Sequence, residues 1–158
     1  GEYKRLYSPM SMKMTDPVYY ISFDDTYGNT LQGTNINGTL YNNPQVIASK
    51  VGRGLSLDGN NQWVDLGMHE NECFGDLNLC SMGYTLAMWI KFGAKNTDEM
   101  YYFSSGDQNG NSSGTDIFIQ NGILWARLST IVWTWEARFM NPLPHEWTHM
   151  LLTWRNDE

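Results

Sequence analysis

His145-Glu146-Trp147-Thr148-His149 spells H-E-x-x-H. Zinc hydrolysis needs that pattern on a helix, where both imidazoles share one face and the glutamate acts as base. The local sequence opposes a helix. Pro142 and Pro144 precede the motif, and an apolar, strand-like run follows it. On a strand the two histidines stand about 13 Å apart, too far for one ion. A second group, Asp107-Gln108-Asn109-Gly110-Asn111, sets oxygen donors at alternate positions, as calcium loops do. It is not an EF-hand, because Ser112 takes the glycine position and Phe118 the final acidic one. A solvated turn is the plainer reading of this loop. Asp24-Asp25 reads likewise as a cation site or a solvated loop start. Paired carboxylates spaced E-x-D-x-E, as glycosidases of β-sandwich type use, are absent. Trp133-Thr134-Trp135-Glu136 carries one acid only. The chain therefore does not read as an enzyme.

Cys73 and Cys80 are the only cysteines. Six intervening residues suit no common zinc knuckle, and no second ligand pair accompanies them. A disulfide is expected, closing a small loop and contributing roughly 2–3 kcal/mol. It implies an oxidising, extracellular setting. The sequons Asn37-Gly38-Thr39 and Asn111-Ser112-Ser113 agree, marking Asn37 and Asn111 as glycosylation sites. Trp89, Trp125, Trp133 and Trp135 are candidates for a sugar-stacking platform, with core packing as the alternative.

The elements that position these residues are short strands. At 158 residues the chain has the length of one domain. Aromatics make up 14% of it, too many for a disordered tail. The formal charge of -7 argues against nucleic acid, whose phosphates it would repel. No apolar run is long enough for a membrane span. Residues 1–16 read as an arm or linker, and 17–158 as the domain. Val18–Phe23 is the first expected strand. Asp24–Asn37 reads as a long loop, and Gly38–Tyr41 as a short strand. Leu55–Leu57 and Gln62–Leu66 are expected to form a hairpin about Asp58-Gly59-Asn60-Asn61. Tyr84–Phe92 alternates, with Tyr84, Leu86, Met88, Ile90 and Phe92 on one face. Met100–Ser104 is another strand. Asp116–Gln120 and Ile123–Leu128 form the clearest hairpin, about Asn121-Gly122, the preferred type I′ pair. Ile131–Phe139 follows. Trp147–Trp154 is apolar on both faces, as a central strand would be. Some ten short strands point to an all-β antiparallel sandwich, with a barrel as the second choice.

In order along the chain come Tyr20-Ile21-Ser22-Phe23-Asp24-Asp25, Asn37-Gly38-Thr39-Leu40, Lys50-Val51-Gly52-Arg53-Gly54-Leu55-Ser56-Leu57-Asp58-Gly59, and Trp63-Val64-Asp65-Leu66-Gly67. Gly83–Phe92 and Trp147–Trp154 complete the series. Together they resemble the laminin-G-like, or concanavalin A-like lectin/glucanase, superfamily, to which pentraxins are related. The resemblance runs from about Val18 to Trp154. It implies a jelly-roll sandwich in an extracellular adhesion or recognition module that binds glycan or protein through rim loops. It implies calcium as the cofactor, with Asp107, Asn109 and Asp116 as its ligands here. The family continues past the strand matching Trp147–Trp154, whereas this chain stops at Glu158. The expectation is a jelly roll truncated at its C-terminus, with the missing strands belonging to a longer chain, cleaved off or supplied by another chain. A structural subunit of an extracellular assembly, completed by a partner chain, is the alternative function. A degenerate glycosidase-fold enzyme is a third.

Overall fold

The computed structural model describes residues 17–73, 75–93, 99–106, 113–140 and 144–155. Its strands are β1 (Thr26–Tyr27), β2 (Thr30–Gln32), β3 (Asn37–Tyr41), β4 (Gln45–Ala48), β5 (Arg53–Ser56) and β6 (Trp63–Asp65). They continue with β7 (Tyr84–Lys91), β8 (Met100–Ser104), β9 (Gly114–Gln120), β10 (Ile123–Ser129), β11 (Thr134–Met140) and β12 (Trp147–Trp154). One 3-10 turn, Leu77–Leu79, is the only helix among the described residues. Every ladder is antiparallel. The fold is all-β.

Four sheets result, ordered β1-β2-β3-β6, β11-β10-β9-β8, β12-β7 and β4-β5. The core lies between the β7–β12 ribbon and the four-stranded β8–β11 sheet. Strand alternation decides which side chains enter it. From β7 come Tyr84, Leu86, Met88 and Ile90; from β12, Met150, Leu152 and Trp154. From the facing sheet come Ile117, Ile119, Leu124, Ala126 and Leu128. Phe92, 1% exposed, closes one end and meets Tyr102 edge-on at 5.2 Å. A bulge in β8 between Tyr101 and Phe103 changes the facing there. It lets Tyr102 and Phe103 both pack on the core while Tyr101 pairs with Phe118 on the outer face.

The β9–β10 hairpin has the expected two-residue turn, with Asn121 at φ 53° and Gly122 at φ 74°. Gly83 enters β7 at φ 92°, where a Cβ would stand 2.8 Å from the Trp154 carbonyl oxygen. Only glycine satisfies both demands. The disulfide Cys73–Cys80 is present, its Cα atoms 4.7 Å apart, and Cys80 belongs to the core.

Four expectations change. Val18–Phe23 contributes a single bridge, Tyr20 to Thr34, and ends where Phe23 turns left-handed at φ 64°. The expected loop 24–37 contains the β1–β2 hairpin. The segments around Asp58-Gly59 do not pair with each other: β5 joins β4, and β6 joins β3. Among the described residues Trp147–Trp154 pairs on one side only, with β7, and so is not central there. Its Leu151 is 61% exposed on the outer face.

Candidate functional site

The residues that sequence reading singled out are scattered by the fold. His145 lies in a turn at φ 63°, and His149 lies on β12 with its ring 4.9 Å from Trp89. The H-E-x-x-H segment is thus not helical, and its two histidines do not form the one-face pair that zinc chemistry needs. No group of three or more His, Cys, Asp or Glu able to hold a metal occurs among the described residues. Asp107, Asn109 and Asn111 lie outside the described residues. Asp116 is 5% exposed on β9, and its neighbours already engage it. The Ser104 hydroxyl donates to its Oδ1 at 2.7 Å, and Arg127 Nη1 stands 3.8 Å from Oδ2. Burial pushes the Asp116 carboxyl above its ordinary range, against the opposing pull of Ser104 and Arg127. A cation at this carboxylate would have to displace the guanidinium.

Asp116 belongs to the outer face of the β8–β11 sheet, where register builds two parallel rows. Asp116 sits opposite Arg127, and Arg127 opposite Glu136, to which its Nε donates at 3.0 Å. The neighbouring row is Tyr101, Phe118, Trp125 and Arg138. Tyr101 stacks on Phe118 at 5.2 Å, Phe118 on Trp125 at 6.0 Å, and the Arg138 guanidinium lies 4.2 Å above the Trp125 ring. Burial, then a hydrogen bond to Glu99, pushes the Tyr101 hydroxyl up to about 12. These cross-strand contacts hold the sheet together, although the buried Trp125 Nε1 has no hydrogen-bond partner among the described residues.

The four tryptophans do not form one platform. Trp89 is on the outer face of β7, near Lys50. Trp125 is in the aromatic row just described, while Trp133 touches Trp154 and Trp135 sits on β11.

The sheet β1-β2-β3-β6 carries the most open aromatic surface. Tyr41 and Trp63 are directly opposed across β3 and β6. Their rings stack at 4.9 Å and 9°, yet they remain 40% and 47% exposed. Gln62 links the turns that flank the pair. Gln62 Nε2 donates to the carbonyls of Asn42 and Asn43, and Gln62 Oε1 accepts from the Asp58 amide. This one amide ties the turn after β3 to the turn before β6. Asn42 and Asn43, at φ 61° and 54°, are residues that tolerate that left-handed backbone. The side-chain amides of Asn43, Asn60 and Asn61 are exposed and bond no other described side chain or backbone group. The pairing of β3 with β6 skips two strands, so no local sequence signal joins Tyr41 to Trp63.

A third cluster anchors the N-terminal side. Tyr19 donates its hydroxyl to Glu72, whose carboxylate also meets His69 Nδ1 at 3.0 Å. His69 Nε2 lies 2.9 Å from the Leu66 carbonyl oxygen. A carbonyl on one side and a carboxylate on the other both want an N–H donor. Partial burial opposes the charged ring, but the Glu72 and Leu66 contacts outweigh it and hold the His69 pKa above its ordinary value.

Comparisons with protein-family models, curated proteins and solved structures return no match.

Proposed function

We propose that this chain is an extracellular recognition module of laminin-G-like type that binds glycan or protein by surface contact rather than by catalysis. The observation that carries this reading is the Tyr41–Trp63 stack: two large rings, packed on each other across paired strands and left open to solvent on a sheet face. Rings fixed before binding lose little freedom on contact, which favours a recognition role. The disulfide supports the compartment, since such bonds persist where the surroundings are oxidising. The jelly-roll topology and a calcium requirement belong to this reading as proposals. The test is a paired screen of the labelled chain on glycan and extracellular-protein arrays, with and without chelator. Binding on either array supports it, and loss with chelator supports calcium. Silence on both arrays overturns it.

A second reading is a subunit completed by a partner strand from another copy. On β11, Trp135 and Phe139 face the core side yet are 45% and 48% exposed. On β12 one edge pairs with no strand among the described residues, and the strand carries neither Lys nor Pro to guard it. Sedimentation velocity across a concentration series decides it: reversible dimerisation lost in Trp135→Asp favours this reading, and a monomer throughout removes it.

A further inference from the structure

We infer that the outer face of the β1-β2-β3-β6 sheet is a binding site for a neutral, linear oligosaccharide, with one pyranose ring stacked on the Tyr41–Trp63 pair. The inference rests on the recognition reading above and names its ligand class. Strand alternation sends Leu31, Gly38, Leu40 and Val64 to the inner side. It sends Gln32, Thr39, Tyr41 and Trp63 outward, with Thr30, Asn37 and Asp65. Hydroxyls, amides and aromatic rings dominate this face. Its four strands contain no Lys or Arg and one acid, Asp65, whose Oδ1 accepts from the Gly67 amide at 2.8 Å.

Each part matches one demand of a sugar. The C–H face of a pyranose carries slight positive charge and lies well against the negative face of an indole. Sugar hydroxyls both donate and accept, as do the exposed Asn43, Asn60 and Asn61 amides beside the rings. Without a cation on the face, and with a formal charge of -7 on the chain, sulfated and carboxylated glycans are disfavoured. The two rings are stacked on each other at 4.9 Å and 9°, so each leaves one outer face for a sugar ring and no cleft opens between them for a proline-rich peptide.

The face also has a second end. A shallow depression of about 270 Å³ opens at Gln32, lined with Tyr20, Ser22, Asp25, Gly33 and Thr34. Gln32 pairs with Asn37, and Tyr41 lies four residues along the same strand. At strand rise the two ends are roughly 13 Å apart. A chain of several sugar units spans that distance, whereas a monosaccharide does not. Linearity follows because the polar groups run along β3 rather than around a closed pocket.

The test uses the full chain made in an oxidising bacterial compartment, so that the disulfide forms and Asn37 carries no glycan. It is titrated by calorimetry with neutral glucose, mannose and galactose tetramers, with sulfated and uronic-acid tetramers, and with a proline-rich peptide. The expected result is binding of at least one neutral tetramer, weakened at least about tenfold in Trp63→Ala and in Tyr41→Ala. Trp63→Phe retains most of the binding, and Met82→Ala, at an exposed site beside the disulfide, retains all of it. Circular dichroism shows which variants are folded, and Trp63→Leu and Tyr41→Leu replace any alanine variant that is not. Neutral tetramer binding that Trp63→Ala and Tyr41→Ala leave unchanged overturns the site but leaves the recognition reading standing. Binding of acidic tetramers or peptide alone overturns the ligand class. No binding to any probe overturns the inference, and the array screen then decides the reading by itself.

Discussion

Replacing both cysteines, Cys73→Ala together with Cys80→Ala, should cost the fold a sizeable but survivable part of its stability. The bonded residues are seven apart in sequence, so the closed loop holds eight residues. Chain entropy for such a loop amounts to about 2.5 kcal/mol at 25 °C. For a domain of this size 1 kcal/mol corresponds to about 2–4 °C in Tm, so the expected fall is about 5–10 °C. The loop has other anchors that keep the loss from growing. Leu77 is 1% exposed, Asp76 caps the 3-10 turn by accepting from the Asn78 amide, and the Cys80 amide donates to the Leu77 carbonyl at 3.1 Å. Differential scanning calorimetry of the variant, beside the native chain with and without reductant, measures the effect. The reduced native chain should melt with the variant. A fall of under 2 °C would refute the reasoning, because the loop would then be held by Leu77 and its hydrogen bonds alone. A fall beyond 15 °C would refute it in the other direction, making core packing of Cys80 the main contribution.

Leu152→Ala should destabilise by about 2–5 kcal/mol in denaturant unfolding, since Leu152 is 7% exposed in the core, while its neighbour Leu151→Ala should stay within about 0.5 kcal/mol. Gly122→Val should destabilise by more than about 1 kcal/mol, because φ 74° in the β9–β10 turn strains any branched residue. His69 should titrate above 6.5 by NMR, and in Glu72→Gln it should fall below that value, since burial is the largest remaining influence. The sign of its stability effect follows. His69 is raised in the fold, so its contribution is complete below about 6.5 and is lost as pH rises through the folded value. Glu72 is lowered, mainly by the Tyr19 hydrogen bond, so its contribution is complete above 4.5 and is lost as pH falls through its folded value. The Tyr19–Glu72–His69 link should therefore help most between these two limits, and pH-dependent melts of native chain and Glu72→Gln should diverge most there.

Local signals were legible where structure is local. Asn121-Gly122 announced its hairpin because two residues of the right backbone freedom suffice to specify it. The alternation of Tyr84–Lys91 announced which side chains enter the core. Asp58-Gly59-Asn60-Asn61 announced a turn correctly but not a hairpin, since a turn motif does not say which sheet the next strand joins. The β1–β2 hairpin was hidden by its composition, because Thr26-Tyr27-Gly28-Asn29-Thr30 is as polar as a loop. Trp147–Trp154 looked central because its sequence is apolar on both sides, yet its outer Leu151 is exposed and its second edge pairs with no strand among the described residues. The candidate sugar face was the least legible part. It depends on Tyr41 meeting Trp63 across strands that are not neighbours in the chain, and that is a property of tertiary pairing alone.

The pairing of β7 with β12 also sets a clock. Lys91 meets Trp147, 56 residues later, and Tyr84 meets Trp154, 70 residues later. By contrast β9, β10 and β11 each pair with the strand next in sequence. The β9–β10–β11 meander can therefore assemble as it is made, while β7 waits for its partner. At about 5–20 residues per second that wait lasts roughly 3–14 s. For that interval Tyr84, Leu86, Met88 and Ile90 form an apolar row without its ladder. Synthesis of this chain thus includes a period of aggregation risk, one that lasts until β12 arrives.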